Sequence, residues 1–287
     1  MDEQMHESKD NKFIPMTSIL SGTGQKVSND VYYYTDQIVN MCFIGLPNEG
    51  EWVLVDAGLP NAASEIRSVA VDRFGRESRP SAIILTHGHF DHVGGLIELV
   101  EEWEVPVYAH ELELPYLTGE ESYPEPDATV EGGLLAKISP WYPNQPINLG
   151  DAVKALPDDN SVPGLEDWKW IHTPGHSPGH VSFFRENDKT LLSGDAVITV
   201  RQDKFYNVLM QTEEVNGPPR YLTTDWNAAF ESVKKLKQLQ PNVLVSGHGH
   251  FMGGDDLSEG LQNLVENFDK LAIPDYGRYV DGQDNIH

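Results

Sequence analysis

The sequence predicts an α/β fold, a layered sandwich in which helices cover β-sheets. Apolar runs typical of strands alternate with segments whose apolar residues recur every three or four positions, as on one face of a helix. The chain opens with strand-like runs alone, a pattern typical of a β-meander. The segments WVLVDAG and TLLSGDA also occupy similar places in two comparable halves of the chain, each made of strands followed by helices.

The first half is predicted to begin with strands and then to alternate strands with helices. The expected strands are VYYY (31–34), VNMCFIGL (39–46), WVLVDAG (52–58), SAIILT (81–86) and VPVYAH (105–110), and the turn segment PNEGE separates the second from the third. The expected helices are NAASEIRSVAVDRFG (61–75) and GGLIELVEEW (94–103).

The second half is predicted to repeat this combination of strands and helices. The expected strands are WKWIHT (168–173), HVSFFREN (180–187), TLLSGD (190–195) and VLVSGH (243–248). Asp225 is a residue type that caps helices, and Ala229, Val233, Leu236 and Leu239 after it fall on one helical face. A final helix is expected near 257–272.

The chain of 287 residues is predicted to form a single domain over 13–287, because one core can grow to about this size before a chain splits. The polar residues 1–12 are expected to be a mobile tail. A stretch rich in proline and aromatic residues at about 111–148 interrupts the alternation and predicts an inserted, partly helical flap.

The composition excludes several classes of protein. A formal net charge of −25 repels phosphate backbones and anionic lipid surfaces, so we expect no nucleic-acid or membrane partner. The N-terminus lacks the pattern of a secretory signal, which predicts a cytoplasmic protein. The single cysteine, Cys42, lies in an apolar run and is expected to be a buried hydrophobic residue rather than a ligand.

Histidine and aspartate side chains follow several of the predicted strands. His87, His89, Asp91 and His92 lie in one loop between a strand and a helix, and burying such a group without a metal would be costly. His176, Asp195 and His248 each follow another apolar run. Seven nitrogen and oxygen ligands exceed what one tetrahedral zinc uses, so the set predicts two metal ions that share a carboxylate.

Other histidines of these segments are expected to have structural roles. His180 and His250 are the second histidines of their motifs, and a hydrogen bond to backbone near the site is favoured over ligation for both. His110 ends a predicted strand, and we expect a hydrogen-bonded core residue there.

The motifs THGHFDHVGG, TPGHSPGHV, SGDA and SGHG occur in the order found in the metallo-β-lactamase superfamily, which the chain resembles over about residues 30–272. The resemblance implies a four-layer αββα sandwich. It also implies that His87, His89 and His176 hold a first metal, that Asp91, His92 and His248 hold a second, and that Asp195 bridges them. Asp56, in VLVDAG, matches a position that supports ligand histidines by hydrogen bonding.

The mechanism implied by the resemblance is hydrolysis of a small molecule. Two zinc ions, with iron or manganese as alternatives, lower the pKa of a bridging water, and the hydroxide attacks a carbonyl. Asp91 would deliver a proton to the leaving group.

The pattern departs from the β-lactamases, most of which lack a bridging aspartate, and is similar to glyoxalase II-like hydrolases and lactonases. Only 39 residues follow His248, because 287 minus 248 is 39, so we expect no counterpart of the helical C-terminal domain with which glyoxalase II binds glutathione. We therefore expect hydrolysis of a carboxylic ester, a thioester or a lactone.

Three alternatives stay open. The first is an acyl-homoserine lactonase, although Ile198 stands where those enzymes have a tyrosine three residues beyond the bridging aspartate. The second is a mononuclear iron sulfur dioxygenase, which resembles the chain in several motifs. The third is a metal-stabilised binding protein without turnover.

Overall fold

The computed structural model of the protein describes residues 5–7, 18–130, 139, 146–200 and 213–280. The chain divides into two compact units, one of residues 1–123 and 143–166 and the other of residues 124–142 and 167–287. Two such units can be halves of one domain, so the single domain over 13–287 stays a prediction, as does the mobility of the tail 1–12. Within that tail, His6 pairs with Asn148 in an isolated antiparallel bridge.

A seven-stranded sheet lies in the first unit, counted over the described residues. Its strands follow one another in chain order: β1 (Thr23–Lys26), β2 (Val31–Asp36), β3 (Val39–Ile44), β4 (Val53–Val55), β5 (Ala82–Ile84), β6 (Val107–Ala109) and β7 (Val153–Ala155). Strands β1 to β4 pair antiparallel, and β4 to β7 pair parallel. The predicted opening meander is therefore confirmed, and it gains the strand β1 that we did not predict.

The parallel strands are connected through helices, as parallel pairing requires. The helices of this unit are α1 (Ala63–Phe74), α2 (Phe90–Val93), α3 (Leu96–Trp103) and α4 (Leu114–Leu117), with 3-10 turns at Glu111–Glu113 and Gly150–Ala152. The buried residues of α1 recur every three or four positions, from Ala63 to Phe74, so one face packs on the core. Trp52 belongs to this core and is stacked on Phe74 with 4.5 Å between ring centroids.

A second sheet of six strands has the order β15-β14-β11-β10-β9-β8 within the described part of the chain. Its strands are β8 (Ser161–Val162), β9 (Leu165–His172), β10 (Val181–Arg185), β11 (Thr190–Gly194), β14 (Val243–Ser246) and β15 (Met252–Gly253). A separate pair joins β12 (Ile198–Val200) to β13 (Glu213–Asn216). Strands β11 and β14 are parallel, so the residues that follow them emerge at the same sheet edge.

The second unit carries α5 (Trp226–Gln238), α6 (Gly254–Glu266) and α7 (Phe268–Leu271). The predicted cap of α5 is confirmed, because the carboxylate of Asp225 accepts a hydrogen bond of 2.9 Å from the Ala228 N–H. The final helix predicted near 257–272 is confirmed in position, but it is divided into α6 and α7. Asn267 separates α6 from α7, because its φ of −128° and ψ of 29° are not helical. Its side-chain amide donates to the Asn263 carbonyl, which also accepts the Asn267 backbone N–H at 3.0 Å.

The predicted α/β class is confirmed by these sheets and helices. Of the predicted insertion at about 111–148, the described part begins with a 3-10 turn and α4. Residues 131–138 and 140–145 of the insertion lie outside the described residues. Cys42 is buried in β3, as predicted, and burial raises the pKa of its thiol. In the described part of the chain, we find no helix with the length and hydropathy needed to cross a membrane.

Candidate metal centre

Four of the predicted ligands follow strand β5 in the first unit. His87 and His89 lie in the loop after β5, and Asp91 and His92 lie in the one-turn helix α2 that begins at Phe90. All four side chains are buried, with residue exposures between 0 and 6%. The ring centroids of His87 and His92 are 4.2 Å apart, and those of His87 and His89 are 4.7 Å apart. The loop thus gathers buried imidazoles at one place.

Asp56 determines the orientation of two of these rings. It follows β4, has a left-handed φ of 62°, and its carboxylate accepts hydrogen bonds from the Thr86 N–H (2.8 Å), the Thr86 hydroxyl (2.8 Å) and His92 Nδ1 (2.9 Å). Because His92 Nδ1 donates, the lone pair of that ring is on Nε2. The Thr86 hydroxyl, whose proton points to Asp56, accepts from His87 Nδ1 at 3.0 Å. The lone pair of His87 is therefore also on Nε2.

The second unit places the other three predicted ligands together. His176, Asp195 and His248 are each buried, with exposures of 2, 1 and 6%. Asp195 follows β11, and its Oδ2 lies 3.4 Å from His176 Nε2 and 3.3 Å from His248 Nε2. The Thr223 hydroxyl donates to the Pro219 carbonyl and so accepts from His176 Nδ1, 3.3 Å away. The Nε2 lone pair of His176 and the Asp195 carboxylate therefore converge as two acceptors, an arrangement that fits a cation.

Two further histidines have the structural roles predicted for them. His180 Nε2 accepts the Asp195 backbone N–H at 2.9 Å, and its Nδ1 lies 2.9 Å from the Thr173 hydroxyl. His110 is buried and accepts the Leu112 N–H through Nδ1 at 3.2 Å. Neither belongs to a group of side chains that could hold a metal ion among the described residues.

All seven predicted ligands fall in groups that could hold a metal ion. In each group the ligand atoms lie within 4.8 Å of one another, and the groups are His87 with His89 and His176, His87 with His92 and Asp195, and Asp91 with His92 and His248. Imidazole and carboxylate donors suit zinc, iron and manganese alike. The donor chemistry and burial therefore fit the divalent metals expected from the sequence.

Sequence reasoning missed two residues that contact this loop. The Gly88 N–H, between His87 and His89, donates to the carboxylate of Glu113 at 2.9 Å and to the hydroxyl of Tyr123 at 3.0 Å. Both acceptors lie in the segment predicted as an insertion, and nothing in their local sequence indicates a bond to a residue 25 or 35 positions earlier.

Comparison with known proteins defines the class to which this fold and site belong. A sequence profile of the metallo-beta-lactamase superfamily matches residues 34–248. The chain is 46% identical over 260 residues to the probable metallo-hydrolase YflN of Bacillus subtilis (strain 168), a match that covers 90% of this chain and 98% of YflN. The chain belongs to the metallo-β-lactamase superfamily, and the predicted fold of that family is confirmed.

Two other similarities bear on function. The hydroxyacylglutathione hydrolase GloC of Haemophilus influenzae is 27% identical over 171 residues, which cover 59% of this chain and 68% of GloC. The crystal structure of TTHA1623 in a di-iron-bound form is similar with a TM-score of 0.51 and 28% identity, covering 75% of this chain and 89% of that one. The family and these relatives support a metal-dependent hydrolase that acts on small molecules.

Proposed function

We propose that the protein is a dinuclear metal-dependent hydrolase that cleaves a carboxylic ester, a thioester or a lactone. The observation that carries the proposal is the set of seven buried His and Asp side chains whose ligand atoms fall in groups within 4.8 Å. One metal would take three or four of these atoms, whereas two metals that share a carboxylate use them all.

The proposed assignment follows these groups. His87, His89 and His176 would hold the first metal, and Asp91, His92 and His248 the second, with Asp195 as the bridge. The grouping of Asp195 with His87 and His92, one ligand from each set, supports the bridging role. When bound, two metal ions would supply a hydroxide at neutral pH and polarise a carbonyl oxygen.

The protein's own residues prepare this chemistry. Asp56 and Thr86 keep the Nδ1 protons of His92 and His87 in place, so that both Nε2 atoms are free of protons for ligation. Asp91 is the proposed catalytic acid: its carboxylate would take the proton that the attacking hydroxide gives up and deliver it to the leaving group. Its side chain is buried near His92, with 4.0 Å from Asp91 Oδ2 to His92 Nε2.

The proposed substrate class is supported by relatives and by charge. GloC carries the name of a hydrolase of acylated glutathione, which favours an acyl compound as the substrate here too. The net charge of −25 disfavours a nucleic acid or another polyanion. We keep zinc as the proposed metal, and the di-iron form of TTHA1623 keeps iron as the alternative. A cytoplasmic location stays part of the proposal.

The test combines metal analysis with a panel of substrates. Elemental analysis of the purified protein should give two equivalents of metal, and hydrolysis of a thioester, lactone and ester panel should stop on chelation and return with added zinc. Asp195→Asn should lose metal and turnover together. Asp127→Asn is the matched control, because Asp127 is equally buried, at 1%, but bonds to Thr129 and to the Arg278 backbone.

The other results would each favour a different protein. One equivalent of iron without hydrolysis would move the sulfur dioxygenase alternative to first place. Hydrolysis restricted to acyl-homoserine lactones would favour the lactonase. Ile198 is buried in β12, so a tyrosine from another position in the chain would have to take the role of the one that those enzymes have here. Two bound metals without turnover on the whole panel would favour a binding protein.

A further inference from the structure

We propose that Glu113 and Tyr123 are positioning residues that fix the peptide between His87 and His89, and with it the geometry of the first metal. The inference rests on the proposed function, because it assigns these residues a role toward that metal. All the contacts that carry it lie within the first unit.

The Gly88 N–H is bound by two acceptors at once. It donates to Glu113 Oε2 at 2.9 Å and to the Tyr123 hydroxyl oxygen at 3.0 Å, and the Tyr123 hydroxyl donates in turn to the same oxygen of Glu113. A backbone donor with two partners, one of them charged, is held more firmly than one in an ordinary loop. The three groups form a closed triangle around one peptide.

The burial of Glu113 supports a specific role for its hydrogen bonds with Gly88 and Tyr123. Its side chain is 0% exposed, and a carboxylate so deep in a protein is costly unless it is well hydrogen-bonded. An apolar residue could fill the same space at lower cost, but it could not hold the Gly88 N–H.

The shape of the loop is adapted to this contact. A Cβ atom on Gly88 would lie 2.6 Å from the Tyr123 hydroxyl and 3.1 Å from Leu117 Cδ2, both closer than ordinary contact. The absence of a side chain at Gly88 therefore allows the Tyr123 hydroxyl to contact the peptide directly. The Tyr123 ring also lies 4.4 Å from the His89 ring, so the same residue limits the rotation of a proposed ligand.

Tyr116 offers a matched control for Tyr123. Its ring stacks on that of Tyr123 with 4.0 Å between centroids and 16° between planes. Its hydroxyl takes no part in the bonds to Gly88 or Glu113 described above. Each of the variants Tyr116→Phe and Tyr123→Phe thus removes one hydroxyl from the same aromatic stack. Only Tyr123→Phe removes a hydroxyl that bonds to Gly88 and Glu113.

The test measures metal affinity and spectra instead of turnover. Zinc affinity is measured by competition with a chromophoric chelator, and the visible bands of the cobalt-substituted protein report on ligand geometry. Tyr123→Phe should weaken binding of one of the two zinc equivalents about 10-fold, the lower end of what indirect partners of a ligand contribute. It should also shift the cobalt bands, whereas Tyr116→Phe should do neither.

A second pair of variants separates positioning from packing. Glu113→Gln keeps an oxygen for the Gly88 N–H and the Tyr123 hydroxyl, so it should retain most of the affinity, whereas Glu113→Ala should lose it. If Glu113→Ala does not fold, the two tyrosine variants decide alone. Equal zinc affinity and equal cobalt bands for both tyrosine variants would overturn the inference and leave the proposed function standing. A parent protein that binds no metal would overturn both this inference and the proposed function.

Discussion

The Asp56→Asn substitution should weaken metal binding while leaving the fold intact. The carboxylate now accepts three hydrogen bonds, from the Thr86 N–H, the Thr86 hydroxyl and His92 Nδ1. An asparagine has the same shape, but one of its two terminal atoms is a donor. In the metal-free protein, the amide nitrogen of the asparagine can donate to the Thr86 hydroxyl oxygen and to His92 Nδ1. For this, the Thr86 hydroxyl proton must turn away from the amide, and the ring proton of His92 must move from Nδ1 to Nε2.

That rearrangement removes two ligand atoms. The Thr86 hydroxyl, now an acceptor for the amide, donates to His87 Nδ1, so the proton of that ring also moves to Nε2. Metal binding must return the ring protons of His87 and His92 to Nδ1. The amide must then turn its oxygen toward His92 and the Thr86 hydroxyl, so that its nitrogen faces the Thr86 N–H. Two donors then face each other without an acceptor, at a cost of about 1–3 kcal/mol. Since about 1.4 kcal/mol is a factor of ten, zinc affinity should fall roughly 10- to 100-fold.

The assay is zinc competition with a chromophoric chelator, together with thermal unfolding of the metal-free protein. Asp36→Asn is the control, because Asp36 is a partly buried carboxylate at the end of β2 whose pKa is raised by burial, and it lies outside the ligand groups. The control should bind zinc as the parent does. If Asp56→Asn bound both equivalents within threefold of the parent, the reasoning from the proton positions would be refuted.

Two further predictions concern stability. Trp52→Ala should cost about 3–5 kcal/mol in urea unfolding of the metal-free protein, because the ring is 1% exposed and stacks on Phe74, and a loss below about 1 kcal/mol would contradict the packing account. Burial acts to raise the pKa of Asp188, but hydrogen bonds from Arg185 and Thr190 outweigh it and hold that pKa below its ordinary value. The contribution of Asp188 is present above its unfolded pKa of about 3.9 and is lost as the pH falls through the lower folded value. Asp188→Asn should therefore be less stable than the parent at neutral pH, with a gap that closes in acid, and an unchanged gap in acid would argue against it.

Strands and long helices could be predicted because burial imposes a period on their sequence. The run SAIILT has no polar residue between its ends, and β5 is buried at all three of its positions, Ala82–Ile84. Helix α5 shows Ala229, Val233 and Leu236 on its buried face, as the spacing predicts. Short elements escaped prediction: β1, with the pattern TGQK, has no buried residue and owes its strand to pairing with β2.

The proposed ligands could be chosen from the sequence because histidine and aspartate rarely follow several apolar runs in one chain. One support, Asp56, was implied by the resemblance and does bond to His92 Nδ1, but the two that bind Gly88 could not be chosen from the sequence. Glu113 and Tyr123 are ordinary residues of a polar, aromatic segment, and the bond they make is to the backbone of Gly88, which carries no side-chain signal. Residues 201–212, which include Tyr206, lie outside the described residues.

The short helix α2 explains how the loop can hold its ligands in place before any metal arrives. A helix of four residues is not stable by itself, because its single turn fixes more torsion angles than its hydrogen bonds offset. Here the backbone after β4 holds it: the Ala57 N–H donates to the His92 carbonyl at 2.7 Å, and the Gly94 N–H donates to the Gly58 carbonyl at 2.8 Å. A Cβ on Gly94 would lie 2.0 Å from the carbonyl carbon of Leu59, so this approach requires glycine. The loop is thus fixed through its backbone on the β4 side and through Gly88 on the other, and the ligand rings need little reorganisation on binding.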